Sequence, residues 1–284
     1  MWLNIILYLV LAPVVGGLLA GVDRRLSARM QGRVGPPLRQ PFFDFFKLLE
    51  KESLVVRRSQ NFYVFFSCLM TVFAGALFFA GGDLLLVIFA LALGGIFFVL
   101  AGYKASSPYS VVGAQRELLQ MMSYEPALIL AAVGMYMVTG SFIVRDIALS
   151  QRHLYLLLPG LLASFLFIML IKFRKSPFDL STSHHGHQEL VKGITTEFSG
   201  RALAVIELMH WYENVFVLGM VYLFFARTPV LGVAMSLGAF LFTVLVDNVC
   251  ARVKWQAMLA SAWLVTLVLG FGNIMAVFFW GRGN

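Results

Sequence analysis

Charge is what this sequence has least of. Only 13% of its 284 residues are Asp, Glu, Lys or Arg, while 60% are hydrophobic and the mean hydropathy is +0.84. That composition excludes a soluble globular domain of this length. Cysteine is nearly absent as well. Cys68 and Cys250 stand far apart in apolar runs, so no Cys-x-x-Cys pair exists, the two read as packing residues, and the chain holds no iron–sulfur cluster of its own. Neither G-x-x-x-x-G-K-S/T nor G-x-G-x-x-G occurs, which removes the phosphate-loop and dinucleotide fingerprints. No serine in a tight-turn context pairs with the histidines, so a Ser-His-Asp hydrolase has no support. The formal charge is +8 with a pI near 9.7, but the basic residues lie in short loops between apolar runs. Membrane orientation accounts for them, and nucleic acid is not an expected partner.

What the chain does have is apolar runs of spanning length. Eight cover roughly 3–22, 62–81, 84–103, 118–144, 154–172, 202–226, 230–250 and 257–280, each long enough for a hydrocarbon core of about 30 Å. The expectation is an all-α polytopic membrane protein, 1–284 as one membrane domain, with about eight transmembrane helices. The first run lacks a basic leader and ends in Asp23-Arg24-Arg25, so it reads as a helix and not a cleaved signal. Loops 23–61, 104–117, 173–201 and 251–256, with Lys172 at an edge, hold eighteen of the 22 Lys and Arg; the other side holds Arg145, Arg152, Arg227 and Arg282. By the bias of basic residues toward the cytoplasm, both termini face away from it.

The first loop contains FFDFFKLLEKE after Pro41. In a helix starting there, Asp44, Lys47 and Lys51 share one face and Phe42, Phe43, Phe46 and Leu49 another, the pattern of an amphipathic helix lying on the bilayer. Upstream, Arg24, Arg25, Arg29, Arg33 and Arg39 serve either as orientation determinants or as a docking surface. Tyr124-Glu125-Pro126 puts a carboxylate where proline removes a backbone donor, so the helical ladder is expected to open there.

The densest polar stretch is Lys172 to Asn214. It holds Glu189, Glu197, Glu207 and Glu213, and four of the five histidines: His184, His185, His187 and His210. Glu207, His210 and Glu213 step by three and span about 120° of one helix face. Ionisable groups inside a spanning helix are costly, and their default meaning is a path for charge; interhelical polar packing is the plainer alternative. His-His-x-His at 184–187 looks like a metal tract, but no cysteine or second histidine cluster completes a ligand set, so no metal is expected. Asp247-Asn248 lies near the cytoplasmic end of the seventh run, and Asn273 in the eighth reads as packing.

Three segments carry a family resemblance: DRRLSARMQGRVGPPLRQPFFDFFKLLEKE after the first run, AQRELLQMMSYEPALIL entering the fourth, and SPFDLSTSHHGHQELVKGITTEFSG before the sixth. In this order they resemble the NADH dehydrogenase subunit 1 family of respiratory complex I and its relatives in membrane-bound hydrogenases. The resemblance covers most of the chain. It implies cytoplasmic loops that dock an iron–sulfur small subunit and a large catalytic subunit. It also implies buried glutamates leading toward an antiporter-like membrane subunit. Glu117, Glu125, Glu189 and Glu197 match the family's acidic positions. The complex I pattern has an acidic PFDLPE-type loop, where this chain reads Ser181 to His187; it also has a helical glutamate where this chain has His210.

Those departures resemble the energy-converting [NiFe] hydrogenases. The implied function is a membrane anchor and proton-path subunit, not catalytic alone, that couples ferredoxin-linked H2 chemistry to ion translocation. The implied proton path is Glu117, Glu125, Glu189, Glu197, Glu207, His210, Glu213 and Asp247. Partner docking falls to the five arginines with Asp179, His184, His185 and His187. The chain itself would bind no cofactor, the [NiFe] site and clusters belonging to partners; ferredoxin would act indirectly, and the location would be the cytoplasmic membrane. The alternatives are a quinone-binding subunit of a complex I-like dehydrogenase and a stand-alone proton or cation transporter.

Overall fold

The structure is a computed structural model that describes residues 2–52, 58–182 and 192–283. It is all-α. In chain order the helices are α1 (Trp2–Met30), α2 (Gln40–Glu50), α3 (Arg58–Phe79), α4 (Leu84–Lys104), α5 (Pro108–Thr139), α6 (Val144–Leu149), α7 (Leu154–Leu157), α8 (Pro159–Lys172), α9 (Gly200–Phe224), α10 (Pro229–Val249), α11 (Trp255–Val265) and α12 (Gly272–Gly283). A π-helical turn, Thr266–Phe271, joins the last two.

Among the described residues six spans are long and apolar enough to cross a membrane: α1, α3 from Ser59, α4, α5, α10 and the run Trp255–Phe279. The fifth and sixth expected runs take other shapes. The fifth is broken at Leu158-Pro159 into one turn and the 14-residue α8, because proline opens a helix more readily than it continues one. The sixth, α9, is 25 residues long but carries Arg201, Glu207, His210 and Glu213.

Two boundaries differ from the sequence expectation. α1 runs on to Met30, so Asp23, Arg24, Arg25 and Arg29 are helical and not part of a loop; Arg, Leu, Ser, Ala and Met continue a helix without penalty, and the break waits for Gly32, at φ +70°. α5 starts at Pro108, ten residues early, with extended Ser107 before it and proline in the first turn. Glu117 is therefore inside a helix. Pro126 does not end α5: the helix continues through it to Thr139 and stops at Gly140, in the left-handed conformation.

α9 sits at the centre, in contact with α1, α2, α3, α8 and α10. A helix with this much charge is tolerable when protein, not lipid, surrounds it. The α1–α9 approach is close: a Cβ on Gly16 would lie 2.5 Å from the Trp211 carbonyl oxygen, and one on Gly17 2.5 Å from the Phe42 ring. α2 is amphipathic as expected, but its aromatic face divides. Phe42 and Phe45 pack on Trp211 at 5.3 and 5.5 Å between ring centroids, while Phe43 and Phe46 remain about 60% exposed. An interfacial helix needs one side for protein and one for lipid, and α2 has both.

Asn273, expected to be a packing residue, is a cap. Its Oδ1 accepts from the backbone N–H groups of Gly160 (3.1 Å) and Leu161 (3.2 Å), and its Nδ2 donates to the Leu157 carbonyl (3.2 Å). One amide thus satisfies both ends of the break before α8. Asn273→Ala should cost about 1–3 kcal/mol, read as a lower thermal midpoint of the detergent-solubilised protein, with Asn273→Asp losing less because it keeps the acceptor.

Candidate functional site

The ionisable groups converge where α8 ends. Lys172 closes that helix, and Arg174 follows at φ +52°, outside the helical region, so the two cations leave the backbone in different directions toward the same place. Lys172 Nζ lies 2.6 Å from Glu213 Oε1 on α9 and donates to the Tyr124 hydroxyl at 3.0 Å, over the face of that ring at 4.3 Å. Arg174 bridges two carboxylates, with Nη2 2.6 Å and Nε 3.3 Å from the oxygens of Glu117 on α5, and Nη1 3.3 Å from Glu213. Phe98 of α4 lies under the guanidinium at 5.7 Å. Lys172, Glu117 and Glu213 are each no more than 7% exposed. Two cations and two carboxylates leave the site formally neutral, which is what burial demands of charge.

A second group lies one residue along. Lys175 joins Asp23 on α1 to Asp247 on α10, the latter at 3.1 Å, and Asp247 also accepts from the Ser176 backbone N–H at 2.8 Å. Burial works against charge on Lys175, but the two carboxylates outweigh it and hold its pKa above the ordinary lysine value. Asp179 pairs with Arg252 and ties the same segment to the α10–α11 connection. At the surface Arg24 binds Asp44 of α2 at 2.6 Å, and Gln40 supports it at 3.0 Å.

Between these groups lies a cavity of about 500 Å³, lined by Arg24, Arg174, Lys175, Glu207, His210 and Asn214 among others. Glu207 and His210 face it, whereas Glu213 turns to the cations. Among the described residues no hydrogen bond joins Glu207, His210 and Glu213. His210 stands edge-on to Phe98 at 6.1 Å, with a buried Nε2 that has no hydrogen-bond partner among the described residues. Glu125 is half-buried one residue from Tyr124 and has no ion pair or hydrogen bond among the described residues. Glu197 is half-buried in the segment leading to α9. Asp247 and Asp179 have the cationic partners just described. Arg24, Arg25, Arg29, Arg33 and Arg39 are exposed along the end of α1 and the turn into α2. Glu189, His184, His185 and His187 lie outside the described residues. No group of three or more His, Cys, Asp or Glu fit to hold a metal occurs among the described residues.

Lys172, Arg174 and Tyr124 join the site without having been expected there. A signal was present: buried carboxylates on two spanning helices require buried cations, and the KFRK run supplies the nearest ones.

The family model described as NADH dehydrogenase matches residues 3–278. The chain belongs to the NADH dehydrogenase family. Among its relatives is an NADH-quinone oxidoreductase subunit of Thermomicrobium roseum, 32% identical over 334 residues, covering 96% of this chain and 95% of that one. Another is Hydrogenase-4 component C of Escherichia coli, 29% identical over 289 residues, covering 91% and 89%. A solved chain of the membrane-bound sulfane sulfur reductase, described as an archaeal respiratory membrane complex, shares the fold with TM-score 0.84 and 24% identity over 97% of this chain and 99% of that one. The chain is thus a multi-pass membrane subunit of the NADH dehydrogenase family, and its family includes hydrogenase-named members.

The ion network and its surface neighbour can each be probed by substitution. Arg174→Met leaves Glu117 buried without a cation and should destabilise by about 3–5 kcal/mol, whereas Arg174→Met with Glu117→Gln should recover part of that loss; thermal denaturation of the two variants in detergent decides it. At Asp44, partial burial raises the carboxyl pKa, but the hydrogen bonds from Arg24 and Gln40 outweigh it, and the group titrates below its ordinary 3.8. A depressed acid stabilises above its unfolded pKa and loses that contribution as pH falls through the folded value. α2 docking should therefore be indifferent to pH between about 5 and 8 and weaken only below the ordinary carboxylate range. Asp44→Asn should remove that acid-side dependence, followed by limited proteolysis of the α2 segment.

Proposed function

We propose that this protein is the membrane anchor and proton-path subunit of a multisubunit energy-converting [NiFe] hydrogenase, coupling ferredoxin-linked H2 chemistry to ion translocation. The observation that carries the reading is the closed, buried network Glu117–Arg174–Glu213–Lys172, attached to a cytoplasmic segment through consecutive residues. Arg174 belongs to this network and Lys175 to the Asp23–Asp247 pair. A displacement of residues 173–179 by a docked partner therefore disturbs both groups at once. When a cation moves off a buried carboxylate, that carboxylate takes a proton, because the low-dielectric site does not tolerate an unpaired charge.

In this reading the partners are the large hydrogenase subunit and the iron–sulfur small subunit, docked over Arg24, Arg25, Arg29, Arg33, Arg39, Asp179 and the histidine tract at 184–187. Their [NiFe] site and clusters carry the electron chemistry. Protons enter beside Glu189, Glu197 and Asp247, pass Glu207 and His210 at the cavity, exchange at Glu213 and Glu117, and leave past Glu125 toward an antiporter-like subunit. The E. coli relative named as a hydrogenase component supports this branch, as does His210 in place of the glutamate that resemblance to complex I would put there. The membrane is the cytoplasmic one, with both termini on its far side, on the strength of the loop charges.

A second reading has one observation in its favour. The 500 Å³ cavity is bordered by Trp211 and Phe173 as well as by charge, as a quinone headgroup site in a complex I-like dehydrogenase would be. Quinone-site inhibitors separate the two, since the hydrogenase reading expects indifference.

Glu207→Gln should abolish ion translocation by the assembled complex in membrane vesicles while leaving assembly and electron transfer to protons intact; Glu213→Gln should abolish it too and, because it leaves Lys172 buried without a carboxylate, should also lower the thermal midpoint. Unchanged translocation in both variants contradicts the proton path.

A further inference from the structure

From Val215 toward the Phe224 end of α9, a groove of about 1130 Å³ opens between α1, α3, α6, α9 and α10. Phe78, Phe79, Leu218, Val233 and Leu237 make its walls. The α9 stretch from Val215 to Tyr222 gives it a depth of roughly 10 Å at 1.5 Å per residue. Its rim is built, not a loose edge: Leu84 N donates to the Phe142 carbonyl and Val144 N to the Gly82 carbonyl, both at 2.9 Å, clamping the start of α6 to the α3–α4 turn.

The polar end of this groove carries Arg145 and Asp146. Arg145 lines the groove and is exposed, and among the described residues no carboxylate forms an ion pair with it. The neighbouring Asp146 accepts from the Ser141 hydroxyl at 3.0 Å. Exposed Arg152 follows α6, and exposed Arg227, just beyond α9, donates to the Gln151 carbonyl. Arg145 thus stands in the first turn of α6, while Arg152 and Arg227 meet at the connection that follows it, on the face where basic residues are otherwise sparse.

We propose that this groove binds an anionic glycerophospholipid. Its acyl chains lie on Phe78, Phe79, Leu218 and Leu237, and its phosphate meets Arg145. A guanidinium at the depth of the headgroups recognises a phosphate diester by paired hydrogen bonds as well as by charge. The apolar walls supply binding but no preference among headgroups; the preference comes from the arginines. The site is independent of the proton-path reading, being made of other residues.

The test uses the intact complex purified in mild detergent from its native membrane, with bound lipid counted by native mass spectrometry. Arg145→Gln changes the headgroup contact, and Leu237→Trp fills the groove without touching charge. Wild type should retain an anionic phospholipid that both variants lose. On exchange into nanodiscs of mixed anionic and zwitterionic lipid, wild type should enrich the anionic lipid on this subunit and Arg145→Gln should not. Equal anionic lipid retention in wild type and both variants overturns the proposal, as does equal retention of zwitterionic lipid by wild type. A photo-crosslinker at position 237 that captures a protein subunit in place of lipid overturns it as well.

Discussion

Arg174 holds two carboxylates from two helices, and much of the architecture follows from that. Glu117 on α5 and Glu213 on α9 are both buried; Glu117 has the guanidinium as its cation, and Glu213 shares it with Lys172. The fork geometry suits the task, since Arg174 offers separate N–H groups to each partner while Lys172 serves Glu213 alone. Because Arg174 sits in a short segment after α8 and not in a spanning helix, the deepest charges of the protein are tied to backbone near its surface. Lys175, Ser176 and Asp179 extend the attachment to α1, α10 and the α10–α11 connection. A displacement of residues 173–179 would therefore reach buried carboxylates directly.

The arrangement also explains why α9 is central. Its half toward Gly200 carries Glu207, His210 and Glu213, and its other half is apolar. Lipid exposure would penalise the first half, so α1, α2, α3, α8 and α10 enclose it. Gly16 and Gly17 let α1 come close on one side, and the Phe42 and Phe45 rings seal another against Trp211. The remaining aromatic rings of α2, Phe43 and Phe46, face outward.

Much of this is legible in the residues alone. The all-α membrane class, the amphipathic α2 and the importance of Lys172 to Asn214 follow from apolar run lengths and from charge placed where charge is expensive. What is not legible has physical causes. The helix ends at Met30 and Pro108 escape a hydropathy profile because polar residues that continue a helix at the membrane surface look like loop in it. Pairing is hidden too. The step of three from Glu207 to Glu213 puts them on one face, yet Glu213 finds its partners on another element while Glu207 faces the cavity, and spacing within one helix says nothing about which neighbour arrives. Lys172 and Arg174 look like orientation signals because both roles call for the same residue type at the same position. Asn273 looks like packing because its partners are 112 and more residues away.

The most direct test is whether the buried carboxylates change protonation when the electron-transfer partner changes redox state. Redox-induced infrared difference spectra of the intact complex report this through the carbonyl stretch of protonated carboxyl groups. A carboxyl band should appear on reduction, shift in D2O and disappear in Glu213→Gln. A difference spectrum with no such band, or with one unchanged in that variant, would contradict a proton path through the Arg174 network.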